Sequence, residues 1–177
     1  MRVDQKRLPR LEEEFYRGRA AVHWTFGIAD RAEGWLNEKL HGRFREVLAH
    51  ACARYRCASP VYCLMPDHMH ILLLGMGEDS DTRLAAIFLR KHLSPALAPA
   101  LLQKQAYDHV LRDAERERAA FVAACHYILE NPVRAELCAT ASEYPFSGAL
   151  AAGYPDLRVH EEKYWDLFWR IVEKHPS

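Results

Sequence analysis

The 177-residue sequence predicts an α+β fold. A ferredoxin-like split β-α-β-β-α-β run would form one antiparallel sheet with helices on one face, followed by a further helix and a C-terminal helix. Three observations carry this reading. Residues 20–29 (AAVHWTFGIA) are rich in β-formers. Two apolar runs, Val61–Met65 and His68–Leu74, are separated only by Pro66 and Asp67, which is the spacing of a β-hairpin closed by turn residues. Stretches with apolar residues at helical spacing lie on both sides of that hairpin, so helices and strands alternate in the split order.

The first strand follows a charged lead-in. Residues 35–57 place Leu36, Leu40, Phe44, Val47, Leu48 and Ala51 on one stripe, which predicts an amphipathic helix. After the hairpin, residues 81–93 (DTRLAAIFLRKHL) return to helical spacing and end near Pro95, and a short segment within Leu101–Val110 supplies a fourth strand. Residues 114–130 predict a helix stopped by Pro132, because the residue before a proline is pushed out of helical conformation. Turn residues occupy Tyr144–Pro155, and a closing helix is expected over 160–173. The expected division is one domain over residues 1–150 and a helical extension over 151–177, with no repeat or low-complexity linker.

The formal net charge is zero, but it is not evenly spread. Residues 1–112 hold 17 Lys and Arg against 13 Asp and Glu, and residues 113–177 hold 7 against 11. A modestly basic face is compatible with DNA. Half the residues are hydrophobic, too many for a disordered chain. The five cysteines form no CxxC pair, so free thiols are expected rather than a zinc framework. No apolar run is long enough to span a membrane, and the charged first 15 residues lack the apolar centre of a secretory leader, so a cytoplasmic location is expected.

Side chains two apart on a strand share a face, so His68 and His70 project together while Met69 points the other way. Two adjacent imidazoles form a ready pair of metal ligands. A bare His-x-His also fits two polar groups on a solvated strand. In Cys125–Ala135, Tyr127 and Asn131 are four apart and share one face of the last helical turn. Asn131, just before Pro132, is expected at the helix end with its amide freed from the helix surface; an ordinary cap is the plainer alternative. His109 is expected to pair with Asp108. Tyr107 is a rival nucleophile. Arg83, Arg90 and Lys91 on the 81–93 helix, and Arg134 after the tyrosine helix, are candidate DNA contacts or solvated cations. Trp165, Phe168 and Trp169 are expected to pack the closing helix, with base stacking as the alternative.

Together these segments resemble a known family. MPDHMHILL (residues 65–73) is similar to the His-hydrophobic-His motif of single-tyrosine HUH transposases of the insertion-sequence-200-like type. YILENPVRAEL (127–137) and QKQAYDHVLRD (103–113) resemble segments of their REP-associated tyrosine transposase subgroup. The resemblance spans residues 15–150 and departs at Glu136, where the subgroup usually has glycine, and in the neutral net charge.

It implies an HUH transposase-like catalytic domain that nicks and rejoins single-stranded or hairpin DNA through a 5′-phosphotyrosine. Tyr127 would be the nucleophile, with His68, His70 and Asn131 as ligands of a divalent metal, Mg²⁺ or Mn²⁺. Members act as monomers or homodimers. Two rivals fit the same residues: a relative that binds hairpin DNA without cutting it, and a metal-dependent phosphoesterase acting on a smaller substrate.

Overall fold

A computed structural model describes residues 10–154 and 157–174. Five strands, β1 (Ala21–Gly27), β2 (Cys57–Met65), β3 (His68–Gly75), β4 (Tyr107–Val110) and β5 (Ser147–Ala151), form one sheet in the order β4-β1-β3-β2-β5, every pairing antiparallel. The first four strands have the expected split order, with α1 (Glu38–Arg54) and α2 (Thr82–Leu97) as the crossovers. Short helix α3 (Asp113–Arg116) leads into α4 (Arg118–Leu129), the turn α5 (Asn131–Arg134) follows, and α6 (Tyr164–Glu173) closes the chain.

Local chemistry sets these boundaries. Asn37 Oδ1 accepts the Leu40 amide at 3.0 Å and Asp81 Oδ1 the Leu84 amide at 2.8 Å, so each crossover helix starts on a side-chain cap. The chain does not stop at Pro132. After α4, Glu130 keeps right-handed helical angles, and Pro132 sits in the first turn of α5, where a missing N–H costs nothing. Fifth strand β5 falls in the stretch expected to be turns. Its sequence, SGALA, is too small and short to show alternation, and it pairs with β2 only in the folded chain.

Helices cover both faces of the sheet. On one, α1 and α2 bury Phe44, Leu48, Leu89 and Leu93 against Trp24, Phe26, Ile71 and Leu73. On the other, α4 and α6 bury Phe121, Cys125, Ile128, Phe168 and Ile171 against Val61, Cys63, Leu72 and Leu74. Trp165 and Trp169 pack beside Phe121 on this second layer. Strand β2 is buried along its whole length because both layers press on it. All five cysteines are free thiols. Among the described residues, no helix is long and apolar enough to cross a membrane.

Candidate active site

Met69, Ile71 and Leu73 enter the α1–α2 core, so alternation leaves His68 and His70 beside Leu72 and Leu74 on the face covered by α4 and α6. In β1, Val22, Trp24 and Phe26 enter the α1–α2 core, which turns His23 and Thr25 to the histidine face. Register completes the array: Thr25 lies opposite His70, His23 opposite His109, and Tyr107 opposite Thr25. Directly paired residues share a face.

These groups form a line of polar contacts. Arg31 and His68 both bond the Asp67 carboxylate, at 2.7 Å and 2.6 Å. His68 Nε2 faces His70 Nε2 at 2.9 Å, and His70 Nδ1 meets His23 Nε2 at 3.0 Å and Thr25 Oγ1 at 3.3 Å. Burial raises the Asp67 pKa, but the His68 and Arg31 bonds outweigh it and hold the carboxyl below its ordinary value. An ionised Asp67 can only accept, so His68 carries a proton on Nδ1, and in the neutral ring Nε2 is then the free lone pair. Burial, then the nearby His23, His68 and Arg134, push His70 down to about 3. Burial, followed by His109, pushes His23 down to about 4. Both rings are neutral at physiological pH, as metal ligation requires.

The geometry fits a cation. Two nitrogens bound at about 2.1 Å and at a right angle stand about 3 Å apart, close to the 2.9 Å between the two Nε2 atoms. A carboxylate behind His68, and a ring nitrogen and hydroxyl behind His70, are the outer partners that fix ligand imidazoles. Among the described residues, no three His, Cys, Asp or Glu side chains converge on a metal position. Further ligands would have to be an amide, water or a phosphate oxygen.

Helix α4 turns Phe121, Cys125, Ile128 and Leu129 toward the sheet, which leaves Tyr127 on its flank, 63% exposed. The Arg134 guanidinium lies over the Tyr127 ring, 4.0 Å from its centroid, and donates to Tyr127 O at 2.9 Å and Asn131 Oδ1 at 3.0 Å. Because Arg134 also depresses the His70 pKa, the guanidinium touching the phenol belongs to the same electrostatic neighbourhood as the imidazole pair. Helices α4 and α5 pack against β2, the neighbour of β3.

Several sequence expectations change. Asn131 is not freed from its helix: Nδ2 donates to Ile128 O at 2.9 Å and Tyr127 O at 3.4 Å, capping the last carbonyls, while Oδ1 accepts from Arg134. The amide satisfies groups that the helix end would otherwise leave unpaired. His109 does not pair with Asp108, because neighbours on a strand point to opposite faces. It bonds Glu115 at 2.8 Å, and Asp108 takes Tyr16 and Arg10 instead. Arg83, Arg90 and Lys91 lie on α2, over the face away from the histidines. Arg83 pairs with Glu13, Arg90 donates to Gln103 O at 2.6 Å, and Lys91 is exposed. Rival nucleophile Tyr107 is 55% exposed and shares the histidine face.

Sequence reasoning missed His23 and Thr25. Their only signal was alternation in Ala21-Val22-His23-Trp24-Thr25-Phe26, where the polar residues fall at every second position of an otherwise apolar strand.

Profiles of known families return no match. A protein of Haemophilus influenzae whose name places it among the REP-associated tyrosine transposases is 21% identical over 139 residues, which cover 70% of this chain and 76% of that protein. The solved structure of a REP-associated tyrosine transposase bound to a REP hairpin superposes with a TM-score of 0.66 at 18% identity, covering 81% of this chain and 82% of that one. The fold is therefore that of a REP-associated tyrosine transposase, and the resemblance carried by three separate motifs is met again in a sequence relative and a solved structure.

Proposed function

We propose that the chain is a metal-dependent, transposase-like endonuclease that nicks and rejoins single-stranded or hairpin DNA, with Tyr127 as nucleophile. The observation that carries this reading is the convergence of His68 Nε2 and His70 Nε2 on the sheet face covered by α4, the helix that carries Tyr127. Bound by His68 and His70, with the free lone pair of Asn131 Oδ1 available as a third ligand, Mg²⁺ or Mn²⁺ would neutralise charge on a non-bridging phosphate oxygen. Mn²⁺ suits imidazole better.

The chain's own groups have definite tasks. Asp67 and His23 fix the two imidazoles. Arg134 lies over the phenol ring and holds its orientation. The phenol proton passes to water at the exposed ring. The phenolate oxygen then forms a bond to phosphorus as the bond from phosphorus to the 3′ oxygen breaks. The products are a 5′-phosphotyrosine and a free 3′-hydroxyl. Attack by a 3′-hydroxyl reverses the step and rejoins the strand, so no external energy is needed.

A similar solved protein is bound to a REP hairpin, which makes hairpin DNA the first substrate to try. Hairpins labelled at the 5′ or 3′ end, incubated with Mn²⁺ and run on a denaturing gel, should give a protein-linked band that carries only the 3′ label. Hairpin binding without cleavage is the second reading, favoured by the engaged amide of Asn131. A tight complex that leaves no denaturation-resistant band would establish it over the first.

A further inference from the structure

On the opposite face, a cavity of about 480 Å³ lies between α2, β1 and the segment before β4. Arg10, Trp24, Arg83, Arg90, Lys104 and Gln105 are among its lining residues. Among the described residues, two buried side-chain donors have no hydrogen-bond partner, Trp24 Nε1 and Arg90 Nη1, and both belong to residues lining this cavity. Trp24 is 1% exposed. Buried N–H groups almost always have an acceptor, so two orphans on residues lining one cavity call for one.

Charge says which kind. Arg10 is paired with Asp108, and Arg83 with Glu13. No carboxylate pairs with Arg90 or Lys104 among the described residues, which leaves two cations in excess. The Arg10 guanidinium lies over the Trp24 ring, 5.5 Å from its centroid. Burial, and then the like charge of Arg10, lower the Arg90 pKa, a repulsion that an anion between them would relieve.

We propose that this cavity binds a phosphate group of the nucleic-acid backbone, gripped by Arg90 and Lys104. The nucleic-acid source rests on the function proposed above. It gives a role to Gln103–Asp113, a segment whose resemblance the His68–Tyr127 chemistry leaves unused: Lys104, Gln105 and Ala106 line the cavity, while Tyr107 and His109 face the other side. Strand β4 is an edge strand two places from β3, about 10 Å along the sheet. A strand held near Tyr127 can therefore run over this edge and set a neighbouring phosphate into the cavity.

The test uses the full chain and a hairpin oligonucleotide scanned with single neutral methylphosphonates. One position should weaken binding to the unsubstituted protein about tenfold. Arg90→Gln and Lys104→Gln should each weaken binding to the unmodified hairpin, make the logarithmic salt dependence shallower by about 1, and abolish the penalty at that position. Lys104 is exposed, so its variant keeps the test valid if Arg90→Gln unfolds. If both folded variants keep full affinity and salt dependence while Tyr127 still forms its adduct, the cavity proposal falls and the proposed function stands. If the unsubstituted protein binds no DNA and forms no adduct, the proposed function falls, and titration with inorganic phosphate decides the cavity. Phosphate binding that is lost in Lys104→Gln upholds an anion site with a free-phosphate source. Absence of phosphate binding shows that water alone meets the donors and overturns the proposal.

Discussion

The two faces of the sheet treat buried polar atoms in opposite ways. On the α4 side, Asp67, His68, His70, His23 and Thr25 partner one another in a continuous line. On the α2 side, Trp24 Nε1 and Arg90 Nη1 find no acceptor. The first arrangement is complete in its outer partners and presents two Nε2 lone pairs; the second presents donors and surplus positive charge. On the function and the cavity proposed above, one face would hold a cation and the other receive an anion, and a phosphodiester needs both kinds of contact.

The largest effect expected from breaking the histidine face is at its centre. His70→Ala or His68→Ala should lower Mn²⁺-dependent cleavage at least about a hundredfold, with thermal unfolding showing the fold retained. Equal cleavage in Mn²⁺ and in EDTA would remove the metal from the account. Next comes the residue behind the ligand. His23→Ala should weaken Mn²⁺ binding, read by the manganese paramagnetic resonance signal, about 10- to 100-fold. His23→Gln should restore part of it, because an amide oxygen can still accept from His70 Nδ1. A purely packing role for His23 predicts no such difference between the variants.

Acid should separate the faces further. In the metal-free protein His70 and His23 stay unprotonated until the pH nears about 3 and about 4, whereas unfolded histidine takes up its proton from about 6.5. Unfolded chains then bind more protons across that window, so stability falls as pH drops from about 6.5 toward 4. Urea midpoints measured in EDTA at several pH values should show this fall, and His23→Gln should flatten it. A midpoint indifferent to pH would contradict the burial of the histidine line.

The smallest effect lies in the turn after Arg134. Glu136 has φ 57°, a left-handed conformation that glycine adopts without strain. The turn forms despite the departure from the subgroup's glycine, with Leu137 N bonded to Pro132 O at 2.9 Å. Glu136→Gly should raise stability by about 0.5–1 kcal/mol, or about 2 °C in Tm. A lower Tm would show that the Glu136 side chain contributes more than the backbone strain costs.

How much was legible follows from the range of each signal. Split topology and the shared side of His68 and His70 were readable because strand alternation and the Pro66-Asp67 turn are local. The place of Tyr127 in the last turn of a helix was readable from helical spacing. His23 was hidden because its role depends on β1–β3 register, which no local pattern encodes. The same holds for β5, defined only by pairing with β2, and for Arg90, whose helix was found but whose side of the sheet was not. Asn131 lies at a helix end as expected, but its amide nitrogen is not free: the helix carbonyls engage it, a claim that depends on the cap geometry and not on any local pattern.

The central claim is that Tyr127 on the histidine face makes the bond to DNA, and Tyr107, also exposed on that face, is the natural control. Tyr127→Phe removes one oxygen and keeps the ring under Arg134, so hairpin affinity should change little. The measurement is the denaturation-resistant adduct formed with a labelled hairpin and Mn²⁺, compared among the unsubstituted protein, Tyr127→Phe and Tyr107→Phe. The account predicts an adduct in the first and third and none in the second. An adduct that persists in Tyr127→Phe, or that disappears in a folded Tyr107→Phe, would contradict it.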